Sequence, residues 1–250
     1  MSSGDDEWTT RCELAALYRL IAHFRMTDLI DTHISARVPG PEAHFLINRY
    51  GVLFDEMRAS DLVKIDIEGH LVDGDAGDAA SQRVNRAGFT IHSAVHAARA
   101  DLHWVIHTHT AAGAAVSAQE AGLLPISQHA LKFHGRLAYH DYEGIALGLD
   151  ERERLVADLG GRNAMILRNH GLLVAGATVA DAFSEIWFLE LACRIQVQAQ
   201  AGGAALRMPP SSVCALTAEQ FESEESAEIV QLTWQAAKRL VEGQRQHYAS

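Results

Sequence analysis

Several things are scarce in this 250-residue chain, and each scarcity removes a class of function. No apolar run approaches the roughly 20 residues that a bilayer-spanning helix needs, so no membrane role is expected. The opening stretch, Met1 to Thr10, is acidic and polar. It has neither the apolar centre of a secretory leader nor the Arg-rich character of a transit peptide. Cysteine is represented only by Cys12, Cys193 and Cys214, odd in number, far apart and without a C-x-x-C pair. A disulfide framework is therefore not expected, and a reducing cytoplasm is the expected location. Positive charge is also short: 21 Lys and Arg stand against 32 Asp and Glu, a net charge of −11. Nucleic-acid binding, which needs clustered cations to neutralise phosphates, is not expected.

What is present is an ordinary globular composition, 48% hydrophobic and 21% charged. The length suffices for one large domain or two small ones. Histidine is abundant, with 14 copies scattered along the chain rather than gathered in a tag. Either the core accommodates imidazoles or some of them bind a metal.

Local patterns predict alternating helices and strands. Thr10-Arg11-Cys12-Glu13 reads as a capping box, followed by Leu14, Leu17, Tyr18, Ile21 and Phe24 at helical spacing, which predicts a helix over 11–26. Strands are expected at 43–48 and 61–72, with Glu68-Gly69 as a turn, then a Gly- and Asp-rich loop over 73–80. A helix at 88–99, a strand at 102–109 and a small-residue helix at 111–121 follow. Asp150 is placed to cap a helix that stops at Gly160-Gly161, and a strand at 163–168 runs into Asn169-His170-Gly171. The chain continues extended over 172–175, and Thr178 to Asp181 resembles a further cap for a long helix ending at Gly202-Gly203. A link over 208–214 leads to a last helix at 217–247, acidic early and basic late, as the helix dipole prefers. No repeat and no convincing linker divides the chain, so one α/β domain over 1–250 is expected, with 209–250 as a C-terminal helical extension.

The sharpest local signal is His107-Thr108-His109. Residues two apart on a strand point to the same side, so the two imidazoles form a pre-oriented half of a metal site or, equally, a hydrogen-bonded pair at a strand end. Leu102, Trp104 and Ile106 are assigned to the opposite, core-facing side. The second signal is Arg168-Asn169-His170-Gly171, where Gly permits an unusual backbone angle that aims His170 into a pocket or leaves it on an exposed turn. Three neutral imidazoles would leave positions open for water and substrate, as catalytic metal sites do. His92 and His96, four apart on one helix face, are either a second metal pair or buried beside small residues, the latter preferred.

Several ordered stretches carry a resemblance: LAALYRLIAHFRMTDLIDTHISARVPG, FLINRYGVLFDEMRASDLVKID, NRAGFTIHSAVHAARADLHWVIHTHT, GLLPIS, AYHDYEG and ILRNHGLL. Together they resemble the class II aldolase/adducin family across about residues 8–207. The resemblance implies a three-layer α/β/α sandwich around a mainly antiparallel sheet, commonly in a homotetramer with sites between neighbours. It also implies a divalent metal, usually zinc, on His107, His109 and His170; manganese, iron or cobalt also suit imidazoles. Sugar-phosphate aldolases of the family carry an acid/base Glu where this chain has Gly88. Their phosphate-holding Ser pair and Asn correspond here to Arg86-Ala87 and His33, the latter in Thr32-His33-Ile34-Ser35. These departures weaken a phosphorylated substrate and resemble the adducin-like branch; Arg86 suits a carboxylate, or is a solvated helix-start residue. The proton-donating Tyr of the family corresponds to Tyr142 or to His140. Asn48, Tyr50 and Gly51 match a turn that approaches substrate. His33, Ser35, Asn48, Tyr50, Gly51, Arg86 and Gly88 are thus candidate substrate-binding positions.

A three-histidine metal is a Lewis acid that stabilises the enolate left by carbon–carbon cleavage, whether the departing fragment is an aldehyde or carbon dioxide. The expected activity is a metal-dependent lyase, an aldolase or decarboxylase, on a small hydroxy-carbonyl or hydroxy-acid substrate. Without the carboxylate at Gly88, decarboxylation is mildly favoured. The competing expectation is a non-catalytic adducin-like oligomeric binding module. Against it stand the intact histidine trio and an end at Ser250 without a long basic tail.

Overall fold

A computed structural model describes residues 3–72 and 84–250, with side chains described from Asp6 onward. The expected loop over 73–80 lies outside the described residues. In chain order the elements are α1 (Ser3–His23), β1 (His33–Arg37), β2 (Phe45–Asn48), β3 (Leu62–Ile65), α2 (Arg86–Ala98), β4 (Trp104–Thr108) and α3 (Ala111–Ser117). They continue with α4 (Gln128–Leu131), β5 (Leu137–His140), α5 (Glu151–Leu159), β6 (Ala164–Leu167), β7 (Gly171–Gly176) and α6 (Val179–Gln200). The chain closes with α7 (Ser211–Gln220), α8 (Glu224–Val241) and α9 (Arg245–Tyr248).

The seven strands form one sheet in the order β3-β2-β1-β4-β7-β6-β5, antiparallel everywhere except between β5 and β6. Alternation along each strand assigns side chains to two faces. Ile34, Ala36, Leu46, Trp104, Ile106, Ile166, Leu172 and Val174 share one core with Leu14, Leu17 and Ile21 of α1 and Phe183, Ile186 and Leu189 of α6. Val105, Met165, Leu167, Leu173 and Ala175 join Ile91 and Val95 of α2 and Leu155 and Leu159 of α5 on the other face. The layers are thus helix, sheet, helix, as the resemblance implies.

Local chemistry explains where the chain departs from expectation. The first helix starts at Ser3, so Thr10 and Glu13 are not a cap: Thr10 donates to the Asp6 carbonyl, while Glu13 accepts from Trp234 Nε1 (3.0 Å) and Lys238 Nζ (2.7 Å). Phe24 falls just beyond that helix and packs on Trp187. The second strand begins at Phe45 rather than at 43. The strand expected over 61–72 stops at Ile65, because Asp66 Oδ1 accepts from the amides of Glu68 and His70 and turns the chain. Leu102 precedes β4 and packs with Val105, on the face opposite Trp104 and Ile106. Asp150 is helical and bonds Arg154 rather than capping α5. Residues 211–220, assigned partly to a link, are α7, and the last long helix is broken before Ser223, whose hydroxyl caps α8. The capping box of Thr178 and Asp181 is present, and α8 is acidic at its start and basic at its end. Strands β1 and β5 escaped sequence reading, since four or five residues carrying buried His and Ser give little period-two contrast.

Candidate metal centre

The adjacent central strands β1, β4 and β7 bring the decisive residues together. His107 is the penultimate residue of β4, His109 follows its end, and His170 precedes β7, which pairs with β4 through His107 opposite Leu173. The turn between β6 and β7 is held by Asn169, whose φ is +53°. The unusual backbone angle therefore sits at Asn169 rather than at Gly171. Gly171 is needed for another reason: a Cβ there would lie 2.3 Å from the Thr108 carbonyl oxygen. The strands can approach closely enough to join the three imidazoles only with hydrogen at that position.

The His109 Nε2 atom lies 2.8 Å from His107 Nε2 and 2.8 Å from His170 Nε2. The outer nitrogens of two of these rings are committed elsewhere. His107 Nδ1 donates to the Leu172 carbonyl (2.9 Å) and His109 Nδ1 to the Asp28 carboxylate (3.2 Å). Each neutral ring carries one N–H, so both Nε2 atoms turn lone pairs inward. Lone pairs packed against one another repel, and a cation between them removes the repulsion. A carbonyl or carboxylate behind each ligating histidine is also the usual way a metal site fixes its tautomer. Burial and the neighbouring imidazoles favour the neutral form of two of the rings: His170 is pushed down to about 4, and His107 well below its ordinary value. The donor set thus fits a divalent metal.

Beside this floor opens a cavity of about 690 Å³, lined among others by Asp28, Asp31, His33, Tyr50, Arg86 and Tyr142. A slightly larger hollow of about 750 Å³, walled by Phe188, Phe221 and Ile229, gathers no histidine and no metal-binding set. Among the described residues, His107, His109 and His170 are the one group of three or more potential ligands close enough to share an ion.

The candidate substrate positions divide. His33, Tyr50 and Arg86 reach the cavity wall, and Tyr142 faces it with its ring 6.2 Å from that of His170. His140 does not line the cavity: its Nδ1 bonds Asp158 (2.7 Å), and its Nε2 is buried without a hydrogen-bond partner among the described residues. Ser35 is buried and bonded to His92 and His96, and Asn48 Oδ1 is bonded to the Tyr18 phenol. Neither faces the cavity, nor does Gly51, beside Tyr50. Gly88 is buried beneath His33: a Cβ at 88 would lie 2.4–2.7 Å from three atoms of that ring. Sequence reasoning missed Asp28, Asp31, Asn85 and Asn169 on the wall. Asp31 accepts from the Tyr50 hydroxyl (2.7 Å) and pushes that phenol up. Asp28 and Asp31 sit in the loop after α1, where no local pattern marks them; only the fold carries them to β4.

The class II aldolase and adducin N-terminal domain model matches residues 12–197, so the comparison spans both signals and the strands between them. The chain belongs to the class II aldolase and adducin family. An aldolase II superfamily protein from Pseudomonas syringae superposes with a TM-score of 0.90 at 54% identity, covering 98% of this chain and 96% of the other. L-fuculose 1-phosphate aldolase from Glaciozyma antarctica superposes with a TM-score of 0.85 at 27% identity, covering 99% and 94%. Alpha-adducin from Rattus norvegicus is 48% identical over 196 residues, 77% of this chain but 26% of the longer adducin. The chain thus has a class II aldolase fold, in which His107, His109 and His170 lie close enough to share an ion. No helix among the described residues is long and apolar enough to cross a membrane.

Proposed function

We propose that this chain is a divalent-metal-dependent carbon–carbon lyase acting on a small hydroxy acid or hydroxy-carbonyl compound. The observation that carries the reading is the inward convergence of three imidazole nitrogens on the floor of a cavity with room for a small guest. An ion held by His107, His109 and His170 supplies Lewis acidity for negative charge developing on a substrate oxygen. Zinc suits three imidazoles best, with manganese, iron or cobalt as the other ions of matching chemistry.

The remaining work falls to the protein's own groups. Asp28 and the Leu172 carbonyl orient two of the ligands. Arg86, with Asn85 beside it on the wall, offers a planar fork of donors to a substrate carboxylate. Tyr142, which lines the cavity where His140 does not, is the candidate for moving a proton at its phenol oxygen. Retro-aldol cleavage needs a base to remove a hydroxyl proton, and the ring of His33 fills the space above residue 88, so decarboxylation is the favoured branch. Metal analysis of the purified protein tests this reading. A stoichiometric ion lost on His107→Ala, together with turnover of a hydroxy acid, supports it; an ion retained unchanged by the variant removes the ligand assignment.

The second reading, a non-catalytic adducin-like binding module, draws on the 48% identity to alpha-adducin. It predicts no turnover by the metal-loaded protein across the same hydroxy-acid panel. Under either reading we assign one domain over 1–250 with 209–250 as a helical extension, since Trp234, Val241 and Tyr248 pack into the main core. We also assign a cytoplasmic homotetramer: Ile145, Leu147 and Leu149 expose apolar side chains beside the cavity, as a surface covered by another copy would. Light scattering checks the mass.

A further inference from the structure

A line of hydrogen bonds runs from the cavity wall into the protein, built from alternate residues of β1 and from His92 and His96 one turn apart on α2. His33 Nδ1 lies 2.9 Å from His92 Nε2, His92 Nδ1 lies 2.5 Å from Ser35 Oγ, and Ser35 Oγ lies 2.7 Å from His96 Nε2. All four side chains are at most 2% exposed. The line is unbranched, and its far end, His96 Nδ1, is buried without a hydrogen-bond partner among the described residues.

Two neutral arrangements use every hydrogen of the line. Each imidazole holds one N–H and the serine one O–H; where that O–H is donated within the line, as the burial of Ser35 requires, the direction of one bond dictates the others. In one arrangement every histidine carries its proton on Nδ1, and His33 shows the cavity a lone pair. In the other every histidine carries it on Nε2, and His33 shows an N–H. The far end decides between them. The Arg37 guanidinium is tethered to the His96 carbonyl, and its Nε–H is also buried without a partner among the described residues. Arg37 is the charged side chain bonded to residue 96, and one face of the His96 ring meets Phe45. A positive charge held at this residue favours a lone pair, not an N–H, on the unpartnered His96 nitrogen.

We propose that Arg37, acting through His96, Ser35 and His92, fixes His33 as a hydrogen-bond donor to an oxygen of the bound substrate. The ring packs over Gly88 through Cδ2, Nε2 and Cγ, and His33 lines the same cavity as Arg86. His33 therefore adds a directed donor for an anionic or carbonyl oxygen, and His92, Ser35 and His96 are positioning residues. Burial of all four side chains favours their uncharged forms. The assignment stands whether or not the lyase reading does, because the direction of the chain is measurable without substrate.

Nitrogen-15 NMR of the full chain at pH 7.5 reads it directly, with signals assigned by single His→Asn variants. The expected result is the Nε2–H tautomer at His33, His92 and His96 together. An Nδ1–H tautomer at His33, or unlike tautomers along the line, overturns the proposal. Ser35→Ala cuts the line: His96 should keep its Nε2–H form while His33 and His92 become mixtures of both, and Ser35→Thr should restore the wild-type pattern. A His33 that stays wholly Nε2–H in Ser35→Ala overturns the coupling. Arg37→Met should shift His96 toward Nδ1–H, and an unchanged His96 overturns the role of Arg37.

Discussion

Replacing Gly88 by Ala tests the packing that separates this site from one with a side chain at that position. The three nearest atoms to the new Cβ are Cδ2, Nε2 and Cγ of His33, at 2.4, 2.6 and 2.7 Å. The ring cannot yield freely, because it is bonded to His92 on one edge and stacked on His107 at 5.0 Å between centroids. Overpacking of this kind costs about 1–3 kcal/mol. Breaking the buried His33–His92 bond adds roughly 1–3 kcal/mol. Exchanging Gly for Ala within a helix returns up to about 1 kcal/mol. The net expectation is a loss of roughly 3 kcal/mol for Gly88→Ala in the wild-type background. With the ring removed in His33→Ala, the same exchange should be neutral or stabilising by up to about 1 kcal/mol. Urea unfolding of the four proteins of this cycle gives the coupling directly. An equal cost of Gly88→Ala in both backgrounds would refute the claim that the ring and the missing side chain compete for one space.

Three other outcomes are expected. Asp28→Asn should weaken zinc binding about 10–100-fold in a chelator competition, since the carboxylate fixes the His109 tautomer; unchanged affinity would remove that role. The metal-free protein should lose stability as pH falls. His96 is pushed down to about 3 and His170 to about 4, so the folded state binds fewer protons than the unfolded chain. The stability these groups contribute is whole above about 6.5 and declines below it, by up to about 1.4 kcal/mol per pH unit for each buried imidazole. A urea midpoint as high at pH 5 as at pH 7.5 would contradict it. Trp234→Ala, which removes a buried indole bonded to Glu13, should cost about 3–5 kcal/mol and lower the thermal midpoint.

Some of this molecule was determined by the sequence alone. The spacing of His107 and His109 places two imidazoles on one side wherever that stretch is extended, because strand side chains alternate. The pairing of His92 with His96, the capping box at Thr178 and the polarity of the last long helix are likewise local, and local geometry enforces them. The ordered stretches that resemble one family also implied the layered architecture. Other features were decided only by tertiary structure. His170 joins the pair because β7 lies beside β4, a contact across 61 residues of chain that no local rule predicts. Asp28 and Asp31 reach the cavity through an irregular loop, and Ser35 and Asn48 were drawn into buried hydrogen bonds rather than toward substrate. Of His140 and Tyr142, between which the sequence left the choice open, Tyr142 lines the cavity, while His140 is bonded to Asp158 from α5. The physical reason is common to all of them: a side chain's direction follows from its own backbone, whereas its partner is whichever polar group long-range packing brings within 3 Å to satisfy it.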